Sequence, residues 1–583
     1  MDPVIEESSE IKEQMDYTTK QIQKINIDYK KQETKIILNY LLDHEPIDKL
    51  SRDYFLNNRK KYIKNRPKLI NFIIKFLHKN MQDFQTLYHF IDSITFMDRF
   101  ILYNEDINFD YIDDIACACM IIASNTTLDY KFTFEELSRV APIKLDQYKM
   151  IELIFDILSF LNYEIADPNI LNYLDLLINI TNNKKLKDET NLIFSYNNTL
   201  MFNESYVCLS PIQQLSGLLY YLGLWTEQIS IFLRKTASDA ENYSNYISNL
   251  LQELYLRNNK YIKPYLNHIN YIYTEDIKKY DIVIQTNPIT KQSINYTMKE
   301  SEFNLRYNDI KYISKGTFST VYVANDNLLN DKVAMKVFNP DDMDKIENLY
   351  SIMNELIYLK YIENKQGLCD FYLFFAIIND VDEDIINYVL VMKFYDETIY
   401  EKFNELRKES DGKARFILKR YLKNIFEGER TLIHSGFTHA DIKTSNILTK
   451  NSECVMSDFS LLRRYTNTTI RLAYTSITRS PEYIQNRNVN SMTEIWPLGY
   501  MIYFLFDGCR LLEAFNKEHF NDKPKSLDEI RRNVEFVTEI IKDSYHLIES
   551  FDRDLADLVS HMCCSIKERW TIDQCLKHQY FTI

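Results

Sequence analysis

No window of the 583-residue chain approaches the roughly 18 continuous apolar residues that a membrane-crossing helix needs. The first residues, MDPVIEESSE, are acidic and lack an apolar core, so no secretory leader is expected. There is no long basic stripe and the net charge is −14; the short lysine runs at 30–35 and 184–187 read as solvated faces, and nucleic acid is not an expected partner. The nine cysteines do not make a disulfide framework or a zinc site. Cys117 and Cys119 lie two apart in an apolar run, Cys563 and Cys564 are adjacent, and neither pair has companions at ligand spacing, so reduced core thiols are expected. Glycine and proline are scarce, at 9 and 12, beside abundant Asn, Ile, Lys and Tyr, a sign of AT-rich coding more than of function.

What is present can fill real cores. With 45% hydrophobic and 14% aromatic residues, wholesale disorder is excluded, and the length predicts two or three domains. Residues 1–60 form a polar lead-in in which Ile36, Ile37, Tyr40 and Leu41 fit one helical stripe. From 61 to 166 helix follows helix. Leu69, Phe72, Ile73, Phe76 and Leu77 make one apolar face, Phe90, Ile91, Ile94 and Met97 a second, and Ile112–Ser124 reads as a buried central helix. Helical patterns continue at Tyr148–Leu161 and, past Asp167-Pro168, at Ile170–Ile180, Ile212–Leu224 and Tyr243–Leu256, which makes 167–275 a second helical unit. Residues 276–306 lose the period and read as a connector.

At Asn308 the period changes to that of strands. Ile310–Ile313 leads into Ser314-Lys315-Gly316-Thr317-Phe318-Ser319-Thr320-Val321-Tyr322, then Val333-Ala334-Met335-Lys336-Val337 and a helix carrying Glu355. Tyr388–Met392 is an apolar strand running into Lys393–Asp396. Further on, Phe437–Leu448 reads FTHADIKTSNIL, and Asp458-Phe459-Ser460 follows. An Asp able to take a hydroxyl proton, a Lys for a phosphate, and an Asn with a second Asp for magnesium are a set suited to phosphoryl transfer, where positioning and charge neutralisation do most of the catalysis.

In this order the segments resemble the protein kinase domain over 307–583, with an N-lobe at 307–392, a hinge at 393–396 and a C-lobe at 397–583. The resemblance implies an α+β two-lobed fold, ATP and Mg²⁺ as cofactors, and protein substrates. It makes Asp441 the base, Lys443 the phosphate ligand, and Lys336 with Glu355 the paired charges behind the α/β-phosphates. Asn446 and Asp458 become metal ligands, and Ile313 to Val321, Ala334, Met392 and Phe394 the nucleotide site. Ser480-Pro481-Glu482 resembles the end of the activation segment, with Glu482 paired to Arg569, and Lys443 with Ser476 resembles Ser/Thr kinases. The departures are serines at 314 and 319 where glycines are usual, Ala440 for the loop arginine, Ser460 for Gly, and Glu494 for Asp.

The helical half resembles the cyclin box: Arg66, Leu69 and Phe72 on one helix, Phe96-Met97-Asp98-Arg99 on the next, and Cys119–Ser124 on the third. Arg66 and Asp98 are expected to pair at the surface or partly buried. Asn125 stands where lysine is usual, Ile154 where glutamate is, and LYSIMN (349–354) does not reproduce the helix by which cyclin-dependent kinases meet cyclins. The whole resembles cyclin/kinase fusions of large DNA viruses: a Ser/Thr kinase regulated in cis by an all-α cyclin-like domain, in the cytoplasm or nucleus of a host cell. The alternative is a pseudokinase scaffold.

Overall fold

Helices fill the first half of the described chain and a mixed sheet opens the second, as the change of apolar period at Asn308 predicts. The computed structural model describes residues 34–42, 60–256 and 297–582, apart from 81–84, 105–106, 108, 128–133, 141–145, 162, 164, 204–205, 207–208, 317–318, 340–345, 363–365, 383, 465–474, 487–490 and 518–526. Expectations that fall on 1–33, 43–59 and 257–296, and on Thr317 and Phe318, lie outside the described residues.

The helical half comprises α1 (34–42), α2 (Lys60–Asn80), α3 (Gln85–Tyr103), α4 (Ile112–Thr127), α5 (Phe134–Val140) and α6 (Gln147–Phe160). Past Asp167-Pro168 come α7 (Ile170–Thr181), α8 (Lys184–Asp188), α9 (Thr190–Leu200), α10 (Pro211–Tyr221), α11 (Glu227–Leu233) and α12 (Ala237–Leu256). Helix α4 is central because its small side chains, Ala116, Cys117, Ala118, Cys119 and Ala123, let neighbours approach on every side, and residues 115–125 are buried. Capping boxes start the second unit: Asn169 with Asn172 opens α7, and Ser210 with Gln213 opens α10. In α1 the buried side chains are Ile37, Leu38 and Leu41, while Ile36 turns outward, so the stripe is rotated from the expected one.

Arg66 and Asp98 do pair, but fully buried rather than near the surface. Nε and Nη2 of Arg66 donate to the two Asp98 oxygens at 2.8 and 2.7 Å, and the Tyr62 hydroxyl donates to Oδ1 at 2.5 Å. The third arm of Arg66 reaches the Met201 carbonyl at 2.8 Å, fastening the second helical unit to the first. A buried ion pair survives only when its remaining hydrogen-bonding positions are also filled, which this bridging contact supplies.

In the second half, β1 (Thr297–Lys299) and α13 (Glu300–Arg306) precede β2 (Tyr307–Lys315), β3 (Thr320–Asp326), β4 (Asp331–Phe338), α14 (Ile346–Tyr361), β5 (Phe371–Ile378) and β6 (Ile385–Lys393). The sheet order is β1-β5-β6-β4-β3-β2, antiparallel except for β1, which runs parallel to β5. The last ten residues of the expected connector are thus built into this lobe: β1 closes the sheet edge, and Phe303 of α13 packs on Tyr307 and Phe375. The larger lobe contains β7 (Glu397–Thr398), α15 (Ile399–Glu409), α16 (Asp411–His434), β8 (Phe437–Thr438), β9 (Ile447–Lys450), β10 (Glu453–Met456), β11 (Arg463–Arg464) and α17 (Pro481–Asn486). It continues with α18 (Ser491–Lys517, kinked at Asp507), α19 (Leu527–Lys542), α20 (Tyr545–Phe551), α21 (Arg553–Met562), α22 (Ile572–Leu576) and α23 (Gln579–Thr582). One apolar core runs unbroken from the helical half through α14 into the larger lobe.

Helix α14 lies between the two halves. The Ser124 and Tyr350 hydroxyls meet in a buried hydrogen bond, and Asn125 Nδ2 donates to Asn354 Oδ1 at 3.0 Å. At the far end of α14 the Tyr361 hydroxyl donates to Asp167 at 2.8 Å and accepts from Ala166 N at 3.1 Å. Phe155 of α6 stacks on Tyr388 with centroids 4.3 Å apart, and Tyr163 meets Phe374 edge-on. Helix α1 closes the seam from a third side: the Tyr40 hydroxyl donates to the Tyr361 carbonyl at 3.3 Å, and Tyr173 of α7 donates to the Leu41 carbonyl at 3.0 Å.

Candidate active site

Lys336 leaves β4 opposite Val321 of β3 and Leu390 of β6, deep enough that an uncompensated charge there would cost several kcal/mol. Two carboxylates compensate it. Nζ lies 2.5 Å from Glu355 on α14 and 2.8 Å from Asp458. Burial works against the lysine charge, but these carboxylates outweigh it and hold the amine above its ordinary range. Burial also opposes ionisation of Asp458, and the Lys336 charge overcomes it, leaving the carboxyl well below the ordinary value, with the Ser460 hydroxyl lowering it further. Glycine offers no such hydroxyl, so the change at 460 favours the charged carboxylate as well as adding stiffness. Asp458 adopts φ +65, and Phe459 turns inward to stack on Tyr358 with centroids 3.5 Å apart.

The loop after β8 is organised by His439. The Ser457 carbonyl can only accept, so His439 Nε2 carries the proton and donates across 3.1 Å, leaving Nδ1 to accept from Asp441 N at 3.3 Å. Burial pushes this imidazole below its ordinary value and keeps it neutral. Glu494 of α18 accepts from both His439 N and Ala440 N at 3.1 Å, holding Ala440 at φ +61, a conformation that costs a residue with a Cβ about 1–2 kcal/mol. Asp441 is thereby presented with both oxygens engaged. Oδ2 accepts from Lys443 at 2.6 Å and from Asn446 Nδ2 at 3.2 Å, and Oδ1 accepts from Thr475 N at 3.1 Å and Thr475 Oγ1 at 2.8 Å. Lys443 also reaches Thr475 Oγ1 at 3.1 Å. The hydroxyl residue that meets Asp441 and Lys443 is Thr475, not Ser476, which starts a 3₁₀ turn.

Asn446 Nδ2 is held by the Asp441 carbonyl at 2.9 Å, which leaves its carboxamide oxygen as an acceptor. Asn446 and Asp458 therefore offer oxygen ligands, the donor type that magnesium takes. Of the nucleotide-site candidates, Ala334 and Met392 are cross-strand partners and buried, Val321 is half-buried, Phe394 is half-buried beside Lys450, and Ile313, Ser314 and Lys315 are exposed at the end of β2. Gly316 N donates to the Ser319 carbonyl at 2.8 Å, closing the tip of the β2–β3 hairpin. Glu482 and Arg569 form a buried pair, with Arg569 over the Trp496 ring and bonded to the Met492 and Cys564 carbonyls. With Ala440 in place of the loop arginine, a phosphate on Thr466, Thr468 or Thr469 would have Arg463, Arg464 or Arg471 as its expected anchor; of these, Thr466, Thr468, Thr469 and Arg471 lie outside the described residues. Arg464 is committed: its guanidinium donates to the Ala166 carbonyl and lies 4.7 Å from the Phe437 centroid.

A two-lobed fold with a paired lysine, a metal-type carboxylate and an aspartate facing a hydroxyl is the architecture of a protein kinase domain, here packed against a bundle of helices. Comparison with known proteins agrees on both halves: residues 307–581 match the protein kinase domain and residues 36–166 the cyclin N-terminal domain. The chain carries an N-terminal cyclin domain and a C-terminal protein kinase domain. Among curated relatives, mitogen-activated protein kinase kinase kinase 20 of Arabidopsis thaliana is 26% identical over 183 residues, 30% of this chain and 50% of that protein. Human myosin light chain kinase family member 4 is 27% identical over 222 residues, 36% of this chain and 53% of that protein. Cyclin-dependent kinase 12 of Caenorhabditis elegans is 27% identical over 225 residues, 36% of this chain and 30% of that protein. The chain spans about half the length of these relatives or less. No described helix is long and apolar enough to cross a membrane.

Proposed function

We propose that this chain is a Ser/Thr protein kinase that moves the γ-phosphoryl group of ATP to protein hydroxyls and is kept in working order by its own cyclin domain. The observation that carries the reading is the pairing of Lys336 with both Glu355 and Asp458 while α14 is packed on the cyclin helix α4. Asp441 accepts the proton of the attacking hydroxyl as the bond from Pγ to the β–γ bridging oxygen breaks, and Lys443 neutralises charge on the transferred group. Lys336 holds the α/β-phosphates. A protein kinase domain implies ATP and, as a rule, Mg²⁺; Asn446 and Asp458 would hold the ion, which when bound offsets phosphate charge. Lys443 and Thr475 beside Asp441 support an aliphatic hydroxyl as acceptor.

Transfer from labelled ATP by the full chain, and none by Asp441→Ala, is the expected result; equal signal from both would mean a contaminating kinase and sink the reading. Phosphoamino-acid analysis should return phosphoserine or phosphothreonine, and phosphotyrosine alone would refute the specificity. Specific activity should be constant on dilution, because the cyclin domain is in the same chain; a fall would place the regulation between molecules.

A further inference from the structure

Two buried asparagines join the cyclin domain to the metal-binding segment. Asn354 precedes Glu355 on α14, and its Nδ2 donates to the Ser460 carbonyl. A carbonyl can only accept, so the amide orientation of Asn354 is forced and Oδ1 must face the other way. There it meets Asn125, whose own Nδ2 must therefore point inward, 229 residues away in sequence. Both side chains are almost wholly buried, at 1% and 0% exposure. The forced orientation leaves a trace: among the described residues Asn125 Oδ1 is buried without a hydrogen-bond partner, a cost accepted because turning the amide over would break the bond to Asn354. Ser460 lies two residues beyond Asp458, which pairs with Lys336 at 2.8 Å.

We propose that Asn125 and Asn354 are positioning residues forming a relay, cyclin domain to α14 to Ser460, that holds Asp458 toward the nucleotide when the cyclin domain is docked. The proposal rests on the cis reading above and supplies its structural link. At Asn125 the usual residue is lysine, and at Ala440 the usual residue is arginine. With both gone, the amide relay does without a phosphate what a charged anchor would otherwise do. The relay has a direction: the inner bond depends on the outer one, since an Asn354 amide released by Asn125 is free to turn its oxygen toward Ser460 and repel it.

The test uses the full chain with Asn125→Asp and Asn354→Asp, both close to isosteric. Asn125→Asp cannot donate to Asn354; Asn354→Asp still accepts from Asn125 but cannot donate to Ser460. Each should weaken direct binding of ATP·Mg by about tenfold, the worth of one buried hydrogen bond. Each should also raise hydrogen exchange in the peptide spanning 456–462, while the KM for a peptide substrate stays within about twofold. The Asn125→Ala/Asn354→Ala double variant, which adds no like-charge repulsion, should be little worse than either alanine single variant, because both break the same inner bond. Asn354→Asp acting while Asn125→Asp leaves nucleotide binding unchanged would overturn the relay, as would effects that multiply. Asn125→Ala and Asn354→Ala repeat the comparison should either carboxylate prevent folding. Nucleotide binding and exchange need no catalysis: a wild type that binds ATP·Mg without transferring phosphate sinks the kinase reading and leaves the relay to be judged on these two measurements.

Discussion

Phe155→Ala is the sharpest perturbation of the cyclin–kinase seam. The ring sits on α6 where the cyclin fold usually offers a glutamate one residue earlier, and it stacks on Tyr388 at 4.3 Å with the planes 21° apart, while Phe374 lies 6.4 Å away. Fully burying such a side chain is worth about 1.5–3 kcal/mol, and Phe155 is only half-buried, so about 1–1.5 kcal/mol comes from area. The ring pair adds about 0.5–1.5 kcal/mol. Together they give about 2 kcal/mol, or a docking constant lower by roughly 30-fold. Because the seam holds α14, exchange of its amides should speed up by a similar factor if they open through undocking. Phe155→Leu keeps most of the apolar area and loses the stacking, so it should fall between. Exchange mass spectrometry over 346–361, alongside phosphotransfer by the full chain, reads both variants. A lowered melting temperature with unchanged exchange in α14 and unchanged transfer would show that Phe155 only stabilises its own domain, and the reasoning would fail.

Two further perturbations test the scaffold. Asp98→Ala removes the carboxylate that balances the buried Arg66 guanidinium and both hydrogen bonds between them, and should destabilise the cyclin domain by about 3–5 kcal/mol in urea titrations. Arg66→Met combined with Asp98→Leu should recover most of that loss, whereas no recovery would argue that the ions themselves hold the fold. At Asp573 burial opposes the charge, but the hydrogen bond and charge of His434 outweigh it and depress the carboxyl pKa. A depressed carboxylate contributes stability above its unfolded value of about 3.9, lost as the pH falls through the folded value. Asp573→Asn should therefore flatten the acid limb of the stability profile; an unchanged limb would refute it.

How much was readable beforehand follows from where the chemistry sits. Lys336, Glu355, Asp441, Asn446 and Asp458 are legible because phosphoryl transfer needs those charges in that order, whatever the surrounding sequence. Arg66 and Asp98 are legible as a pair, yet their burial is not, since it depends on Tyr62 and on Met201 from the second helical unit. Strand β1 has three residues, too few to show a period of two, and its pairing with β5 spans about eighty residues of chain. Asn125 and Asn354 carry no charge and fit no motif. As separate letters neither points to the other, and only their contact gives them a role.

The same contact shows why the stretch of the seam around Asn354 does without charge. Between separate proteins, a lysine and a glutamate at an interface chiefly speed encounter and select the partner. Each also has to be stripped of water on docking, which costs several kcal/mol unless its partner is well placed. In one polypeptide the partner is always near, so steering adds little while the desolvation cost stays. Neutral amides, hydroxyls and stacked rings then serve better. That is the composition found where α14 and the neighbouring β6 meet the cyclin domain: Asn125 on Asn354, Ser124 on Tyr350, and Phe155 on Tyr388. Charge gathers instead at the far end of α14, where Asp167 is met by the Tyr361 hydroxyl and lies 3.4 Å from Arg99 of its own domain, and where Arg464 of the kinase domain donates to the Ala166 carbonyl.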